Sequence, residues 1–293
     1  MFKGAFVALV TPFRDGKVDE KKYRQLIEFQ IEKGIDGIVP CGCTGEAATL
    51  NAAEQKRLIK VAVETVDGRV PVVAGTGSNC TREAVDLTSS AAKAGCDGAL
   101  VITPYYNKPT PEGQYRHYRE IAASADIPIM LYNVPSRTGI SLSPATVARL
   151  SRIDNITSIK EASGSVQQVT DILSLCDITV LSGDDSNTLP FMSVGAKGVV
   201  SVAANIIPEK IHALTQFYLA GNHEKSRRMH YEIAELCAAM FIETNPIPVK
   251  TALSLMKMVD EEWRMPLCEM RKDNRDKLKA ILGKYKLIRS RRP

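Results

Sequence analysis

The sequence lacks several features that mark particular classes of protein. Its 293 residues contain no apolar stretch of the about 18 residues needed to cross a membrane, so we predict no membrane partner. Cys41 and Cys43 are not followed by a second cysteine or histidine pair at a suitable spacing, which excludes the common zinc patterns. Gly75 and Gly77 are too few for the glycine-rich fingerprint of a dinucleotide site. We therefore expect no metal and no nucleotide cofactor.

The charged residues and the cysteines indicate neither an unusual partner nor an oxidising compartment. The net charge of +5 is spread along the chain, and its one basic cluster lacks interleaved aromatic residues beyond Tyr285, so no nucleic-acid partner is predicted. That cluster comprises Lys284, Lys286, Arg289, Arg291 and Arg292. The seven cysteines are an odd number, and no signal peptide precedes the first strand-like run at Phe6. These features predict free thiols in a cytoplasmic protein.

Short runs rich in Val, Ile and Ala recur about every 30 residues and predict the strands of a parallel sheet. They alternate little with polar residues, as expected of strands that are buried on both faces. The eight runs are residues 5–10, 37–39, 70–74, 98–102, 127–132, 156–160, 178–181 and 198–202. Eight strands that alternate with helices over about 220 residues favour an α/β fold of the (β/α)8 TIM-barrel type. A doubly wound sheet has the same period, and the pattern alone leaves it open.

Helical patterns lie between these runs and continue beyond the last of them. Thr110 followed by Pro111 is the signature of a helix N-cap and a first-turn proline. After the eighth run the strand pattern stops, and three further helices are predicted. Their ranges are 223–241, 248–259 and 273–287. We therefore predict a catalytic barrel over residues 1–222 and a C-terminal helical region over residues 223–293, which is an appendage on the barrel.

Lys160 carries the strongest chemical signal in the chain. It lies in residues 156–160, a run that otherwise reads as a buried strand, so its ammonium group loses much of the water that stabilises its charge. Desolvation lowers the pKa of a lysine and favours a neutral amine, which can attack a ketone and form a Schiff base. A lysine at a strand end can instead extend its amine to solvent, and for this residue alone that is the commoner case.

Polar residues follow several of the predicted strands, where the active sites of such barrels lie. Residues 42–45 offer backbone N–H groups and the Thr44 hydroxyl just before a helix, an arrangement that suits a carboxylate. The Tyr132 phenol could exchange protons with a substrate, and Arg137 could hold a carboxylate through two parallel hydrogen bonds. Each also has a purely structural interpretation. Residues 42–45 can be an ordinary strand–helix turn, Tyr132 a buried structural tyrosine and Arg137 a surface arginine. Barrel closure would bring all of them to one rim, and that convergence favours a functional site.

The chain resembles the dihydrodipicolinate synthase family over essentially its whole length. The segment Gly-x-Thr-Gly-Glu at residues 42–46 and the strand of Lys160 are shared with the wider superfamily of pyruvate-dependent aldolases, which includes N-acetylneuraminate lyase. Residues 104–107 and 132–139 discriminate further, because both resemble the synthase and differ from the sialic acid lyase. The resemblance implies a class I aldolase-type lyase that needs no cofactor. It would condense pyruvate with L-aspartate 4-semialdehyde and cyclise the product, in lysine and diaminopimelate biosynthesis.

The resemblance also implies the residues that act on pyruvate. Lys160 would form the Schiff base, and Tyr132 would move protons during imine formation and cyclisation. Thr44, together with nearby backbone, would hold the pyruvate carboxylate. Val200 and Gly183 would line the pyruvate site mainly through their backbone.

The resemblance implies roles for three further residues, which concern the mouth of the site, the contact between subunits and the transfer of protons. Arg137 would bind the carboxylate of the second substrate. Tyr106 would reach into the site of a neighbouring subunit, which implies a homo-oligomer, with a tetramer of tight dimers as the expected form. In the family a threonine usually bridges the two tyrosines as a proton relay, and here that position is Cys43. A thiol is larger and forms weaker hydrogen bonds, so the relay either slows or shifts to Thr44 or a water.

Many members of the family are inhibited by lysine at a site between subunits. The matching positions that this chain keeps are Asn79, Glu83 and Tyr105. Ala47, Ala52 and Gln55 stand where lysine-sensitive bacterial members often carry serine and histidine. The sequence therefore indicates a lysine effector site and leaves open whether lysine inhibits the enzyme.

Two other functions stay open on the sequence alone. One is a pyruvate-lyase that acts on a sugar acid, and Arg137 argues against it because such members place hydroxyl-binding groups in that region. The other is a ligand-binding or regulatory protein without catalysis. Cys43 favours that second alternative, whereas the intact Lys160 and Tyr132 oppose it.

Overall fold

Eight parallel strands form one curled sheet in the computed structural model, which describes residues 2–288 of the chain. In chain order they are β1 Gly4–Ala8, β2 Gly37–Val39, β3 Val73–Gly75, β4 Gly98–Ile102, β5 Ile129–Asn133, β6 Ile156–Glu161, β7 Thr179–Ser182 and β8 Gly198–Ser201. Each predicted run overlaps one of them, so the predicted (β/α)8 barrel is confirmed. Arg289, Arg291 and Arg292 of the predicted basic cluster lie outside the described residues.

The sheet closes between β2 and β3. Its strand order is β2-β1-β8-β7-β6-β5-β4-β3, and a parallel bridge between Ile38 and Val72 joins the two ends. Two backbone hydrogen bonds cross the same seam, from Ile38 N to Pro71 O at 2.9 Å and from Gly75 N to Pro40 O at 2.8 Å. Closure excludes the open doubly wound sheet and brings the carboxyl ends of the strands to one rim.

Twelve α-helices lie within residues 2–288. They are α1 Glu20–Glu32, α2 Ala52–Val66, α3 Thr81–Lys93, α4 Pro111–Ala123, α5 Pro135–Thr138, α6 Pro144–Leu150, α7 Val166–Leu175, α8 Thr188–Ser193, α9 Pro208–Leu219, α10 His223–Ala239, α11 Ile247–Leu255 and α12 Lys272–Lys284. The Thr110 hydroxyl accepts a hydrogen bond from Gly113 N at 3.3 Å, which confirms the predicted cap of α4. In this part of the chain every helix is too short or too polar to cross a membrane.

Side chains fill the barrel interior and a second layer between the sheet and the helices. Phe6, Met130 and Val200 belong to one buried cluster inside the barrel. Leu131 and Ile159 point to the opposite face of the sheet and pack against the surrounding helices. Alternate residues of each strand therefore face two different cores, which explains why the runs alternate little with polar residues.

The predicted C-terminal helices α10, α11 and α12 are present and share a core with the barrel. Leu236, Val249 and Leu282, one from each helix, lie in the same buried cluster as Ala5 and Val7 of β1. The C-terminal helices and the barrel are therefore joined by one continuous core. The division of the chain at residue 222 remains a prediction.

A short antiparallel hairpin after β1 was not predicted. It pairs Phe13–Arg14 with Lys17–Val18, and its turn residues Asp15 and Gly16 both have a positive φ. Strands of two residues are too short to show a period, so the sequence carries no periodic signal for them. The hairpin places Phe13 in the core, beside Lys250 of α11.

Candidate active site

Lys160 lies near the carboxyl end of β6, among side chains of the barrel interior. It is only 5% exposed, and strand register sets it beside Tyr132 of β5 and Leu181 of β7. Burial lowers the pKa of Lys160 to about 8, although the nearby Cys43 and Asp185 partly oppose this shift. Roughly a tenth of the amine is therefore neutral at about pH 7, far more than for a lysine in water.

Tyr132 lies directly beside this amine. The Lys160 Nζ atom is 4.3 Å from the centroid of the Tyr132 ring. The N–H and the hydroxyl of Thr103 both donate to the Tyr132 carbonyl oxygen, each at 2.9 Å, and so hold the strand end. Burial raises the pKa of Tyr132 well above its ordinary value, and the Cys43 thiol raises it further. The phenol therefore stays protonated and can donate a proton to an atom bound at Lys160.

A tight turn after β2, residues 42–46, presents Thr44. The turn is closed by a hydrogen bond from Glu46 N to Cys43 O at 3.1 Å. Thr44 is buried, and its hydroxyl accepts a hydrogen bond from Asn245 Nδ2 at 3.0 Å. Because this bond uses a lone pair of the hydroxyl, the hydroxyl hydrogen can be donated to an anion.

Arg137 lies on α5, the short helix after β5, with its side chain exposed. Its Nη2 atom donates to the Asn245 carbonyl oxygen at 2.9 Å. Asn245 thus contacts two predicted site residues, Thr44 through its side chain and Arg137 through its backbone. A guanidinium carries five N–H donors, so others remain for a carboxylate.

A cavity of about 450 Å³ opens beside these residues. Its lining includes Cys43, Tyr132, Arg137 and Asn245. A larger groove of about 620 Å³ lies between α1 and α2, but it is a shallow surface feature lined mainly by charged side chains. Some of these charges neutralise one another, as Arg69 and Glu28 do at 2.8 Å. We assign the chemistry to the smaller cavity, because the Tyr132 side chain lines it and the buried Lys160 amine lies directly behind that ring.

Gly183 lies against the Lys160 side chain, and Val200 lies in the barrel interior. Gly183 N donates to the Glu161 carbonyl oxygen at 2.7 Å, which holds the residue after β7 against the end of β6. A Cβ atom at Gly183 would lie 2.6 Å from the Ala162 Cβ and 3.1 Å from Cγ and Cε of Lys160. Val200 is fully buried in the cluster that fills the barrel interior. The absence of a side chain at position 183 therefore leaves room for the Lys160 side chain.

Cys43 and Tyr106 occupy very different positions. Cys43 is half-buried, packs against the interior cluster and lies near the Tyr132 phenol. Tyr106 is 89% exposed and has a left-handed φ of 70°. A single chain therefore brings together Lys160, Tyr132 and Cys43 of the predicted catalytic residues and projects Tyr106 outward.

The predicted effector positions lie along or next to the same cavity. Glu83 and Tyr105 line it, together with Gln55. Asn79 lies on the adjoining loop, where its carbonyl oxygen accepts a hydrogen bond from Asn107 Nδ2 at 2.8 Å. The active-site cavity and the predicted effector region are therefore continuous within one chain.

Asp184 and Asp185 follow β7 as two adjacent carboxylates. The buried Asp185 carboxylate accepts hydrogen bonds from the N–H groups of Val202 and Ala203, each at 3.0 Å, and from the Ser201 hydroxyl. These bonds engage both carboxylate oxygens and tie the end of β7 to the end of β8. Within residues 2–288 no three His, Cys, Asp or Glu side chains are grouped to hold a metal ion.

Sequence reasoning gave no role to Asn245 or Asp185. Asn245 stands before Pro246, and the sequence carries no other signal for it. Its Oδ1 atom is buried, and no partner for it lies within residues 2–288. Asp185 carried no signal, because its partners belong to the following strand and loop.

The fold and the site define a class of protein, the barrel lyases with a buried lysine at the end of a strand. A family model described as the dihydrodipicolinate synthetase family matches residues 1–285. The chain belongs to this family.

Relatives and solved structures match over nearly the whole chain. The 4-hydroxy-tetrahydrodipicolinate synthase of Citrifermentans bemidjiense is 55% identical over 290 residues, which cover 98% of this chain and 100% of that protein. The dihydrodipicolinate synthase structure from Aquifex aeolicus is 46% identical with a TM-score of 0.97, covering 99% of this chain and 100% of that one. The chloride-inhibited synthase of Acinetobacter baumannii, solved with pyruvate, is 42% identical with a TM-score of 0.96, covering 98% and 100%. The function is that of a 4-hydroxy-tetrahydrodipicolinate synthase, a lyase of lysine and diaminopimelate biosynthesis.

Proposed function

We propose that this site joins pyruvate to L-aspartate 4-semialdehyde through a Schiff base on Lys160. The observation that carries the proposal is the buried Lys160 amine, which lies 4.3 Å from the centroid of the Tyr132 ring and whose pKa burial lowers to about 8. The pyruvate complex of the Acinetobacter baumannii relative supports pyruvate as the first substrate. Turnover with L-aspartate 4-semialdehyde, compared with a panel of sugar-derived aldehydes, tests the second substrate. Faster turnover of a sugar-derived aldehyde would contradict the proposal and favour a sugar-acid lyase.

The reaction begins at the Lys160 nitrogen. The neutral amine adds to the ketone carbon of pyruvate, and loss of water gives a protonated imine. Tyr132, which holds its proton, supplies it to the departing hydroxyl group. The protonated imine withdraws electrons, so a methyl proton passes to the phenolate that Tyr132 has become, and an enamine forms.

The second half of the reaction builds the ring. The enamine carbon attacks the aldehyde carbon of the second substrate, and the aldehyde oxygen takes up the proton that Tyr132 received from the methyl group. The substrate amine then adds to the imine carbon, and the Lys160 amine leaves as the ring closes. The electron-withdrawing group throughout is the protonated imine itself, formed by this chain's own lysine.

The two substrates are proposed to bind at opposite ends of the site. Thr44 and the N–H groups of its turn hold the pyruvate carboxylate, because the Thr44 hydroxyl can still donate its hydrogen. Gly183 and Val200 enclose the same end. Arg137, exposed beside the cavity, receives the carboxylate of L-aspartate 4-semialdehyde.

The Arg137→Ala variant should raise the KM for L-aspartate 4-semialdehyde by about tenfold or more, because a charge-assisted pair contributes roughly 1.5–3 kcal/mol. Pyruvate labelling of Lys160 in the presence of borohydride should persist. Arg137→Lys is the matched control and should show a smaller increase in KM, since it keeps the charge and loses the paired donors. Loss of pyruvate labelling in the alanine variant would show that Arg137 serves the first substrate.

Replacement of Cys43 should change the rate and leave pyruvate binding nearly unchanged. Cys43 lies next to Tyr132, where a thiol passes protons less well than a hydroxyl. The Cys43→Thr variant should keep or raise kcat, whereas Cys43→Val, which has no exchangeable proton, should lower it by about tenfold or more. Steady-state kinetics with both substrates measures this. Equal kcat values for the valine variant and the wild type would exclude a relay at this position.

The proposal includes a homo-oligomer, with a tetramer of tight dimers as the expected form. Its support is Tyr106, which is highly exposed although the family resemblance gives it a catalytic role in a neighbouring subunit. Mixed subunits carrying Lys160→Ala and Tyr106→Phe should regain part of the lost activity, because one site of each hybrid dimer combines both intact residues. Full activity of a monomer in dilute sedimentation and kinetic assays would contradict this.

We also assign a lysine effector site and a cytoplasmic location as parts of this proposal. Glu83 and Tyr105 line the cavity, and a carboxylate there suits the ammonium group of lysine. Titration of enzyme activity with L-lysine tests the site, and activity that does not change up to millimolar lysine would oppose it. The seven free cysteines support a reducing compartment, and cell fractionation tests it.

A further inference from the structure

Glu46 and Lys250 form an ion pair that the proposed reaction does not use. The Lys250 Nζ atom lies 2.5 Å from the Glu46 Oε1 atom, and neither side chain has exposed surface. Removing two charges from water is costly, and their attraction offsets that cost only when the geometry is good. Apolar residues of similar size often stabilise a protein equally well, so a buried pair calls for an explanation other than stability.

Glu46 is the last residue of the turn that presents Thr44. Its φ of 55° lies in the left-handed region, which a residue with a Cβ atom occupies only when its surroundings hold it there. The Thr11 hydroxyl fixes the preceding residue by donating to the Gly45 carbonyl oxygen at 2.7 Å. The conformation of the turn therefore depends on where the Glu46 side chain is anchored.

Lys250 anchors that side chain from α11. Asn245, just before the same helix, donates from Nδ2 to the Thr44 hydroxyl at 3.0 Å. One segment thus holds the turn at two points, Thr44 and Glu46. The Phe13 ring covers the ion pair, with its centroid 4.3 Å from Lys250 Nζ.

We propose that Glu46 and Lys250 are positioning residues that fix residues 42–46 in the conformation that receives the carboxylate of pyruvate. This inference rests on the proposed role of Thr44 and its turn. The pair acts through the turn and is not assigned a contact with the substrate. Its loss should therefore weaken pyruvate binding more than it slows the formation of the carbon–carbon bond.

The Glu46→Gln variant tests this with little change in side-chain shape. The pyruvate concentration that gives half-maximal borohydride labelling should rise about tenfold, as for the loss of one charge-assisted interaction. Labelling at saturating pyruvate and the KM for L-aspartate 4-semialdehyde should change by less than about twofold. An unchanged half-saturating concentration would overturn the proposal.

A double variant separates positioning from stability. Glu46→Leu combined with Lys250→Met replaces the pair by apolar groups, which should keep or raise the Tm. If the pair positions the turn, the pyruvate concentration for half-maximal labelling of the double variant stays about tenfold above that of the wild type, although its Tm is at least that of the wild type. A double variant with the pyruvate affinity and the Tm of the wild type would show that the pair serves only the stability of the fold. Failure of the double variant to fold would overturn the proposal as well, because the charges would then serve folding.

Glu54→Gln is the matched control for general damage near the turn. The Glu54 carboxylate pairs with Arg264 at 2.6 Å, and the backbone N–H of Arg264 donates to Glu46 Oε2 at 3.3 Å. This variant should lower the Tm without changing half-saturation by pyruvate, and an increase equal to that of Glu46→Gln would overturn the proposal. Absence of labelling at Lys160 in the wild type would instead contradict the proposed function. If Lys160 is labelled in the wild type and Glu46→Gln has the pyruvate affinity of the wild type, only the positioning role is contradicted.

Discussion

The Lys160→Ala variant should lose at least about a thousandfold in the rate of product formation, because it lacks the proposed nucleophile. The buried amine at the end of β6 is where the covalent bond to pyruvate is proposed to form. In the wild type, pyruvate with borohydride should add a pyruvate-derived mass to the peptide that contains Lys160, as measured by mass spectrometry of a digest. The alanine variant should fold and stay unlabelled. A label on another lysine, or none in the wild type, would contradict the assignment.

The pH dependence of labelling gives a second test of Lys160. Burial lowers the pKa of its amine to about 8, so the neutral and nucleophilic fraction rises as the pH increases through this value. The rate of imine formation should therefore increase from about pH 6 to about pH 8 and level off above it. Lys160→Arg should stay unlabelled throughout, since a guanidinium keeps its proton. A rate that does not change over this range would show that the amine does not titrate there.

The Gly183→Ala variant should lower kcat by about a hundredfold, because a displacement of about 1 Å at a reacting group can cost that much. The new Cβ would lie 2.6 Å from the Ala162 Cβ and 3.1 Å from two carbons of Lys160. Carbon atoms that are not bonded to each other do not approach to 2.6 Å, so either the end of β7 or the Lys160 side chain must move. Steady-state kinetics and the rate of borohydride labelling measure the effect. Labelling that proceeds at the wild-type rate would show that the end of β7 moves and the Lys160 side chain stays in place.

A matched control for that variant is Gly283→Ala. Gly283 lies in α12, and a Cβ there would meet nothing within 4 Å. Alanine is the better helix former by about 1 kcal/mol, so the Tm should be kept or raised and kcat should not change. A loss of activity in this control would mean that kcat responds to distant changes, and the Gly183→Ala result would then need another explanation.

The strands and the position of Lys160 could be predicted because their signals are local. In the strand Ile156–Glu161, two isoleucines and two small hydroxyl residues precede the lysine in a mostly buried segment, which makes that single amine conspicuous. The end of the strand then gives the location of the chemistry, since barrels place it there. Closure of the sheet depends on contacts between its two end strands, such as the bridge between Ile38 and Val72, and a strand pattern carries no signal for them.

The supports of the site could not be predicted, because their partners are distant in the chain. The hydrogen bond from Asn245 to Thr44 spans 201 residues, and the pair of Lys250 with Glu46 spans 204. A period or a motif reports on neighbours in sequence and carries no information about such pairs. Lys250 in particular resembles any lysine on a helix until the fold buries it.

Asn245 has a consequence for how the two substrates influence each other. Its side chain contacts Thr44 and its carbonyl oxygen contacts Arg137, so one residue links the groups proposed to receive the two carboxylates. If pyruvate shifts this link, it changes the affinity for L-aspartate 4-semialdehyde. Thermodynamic linkage then requires the second substrate to change the affinity for pyruvate by the same factor. The two binding equilibria share one coupling free energy, and Asn245 is the residue through which that energy would pass.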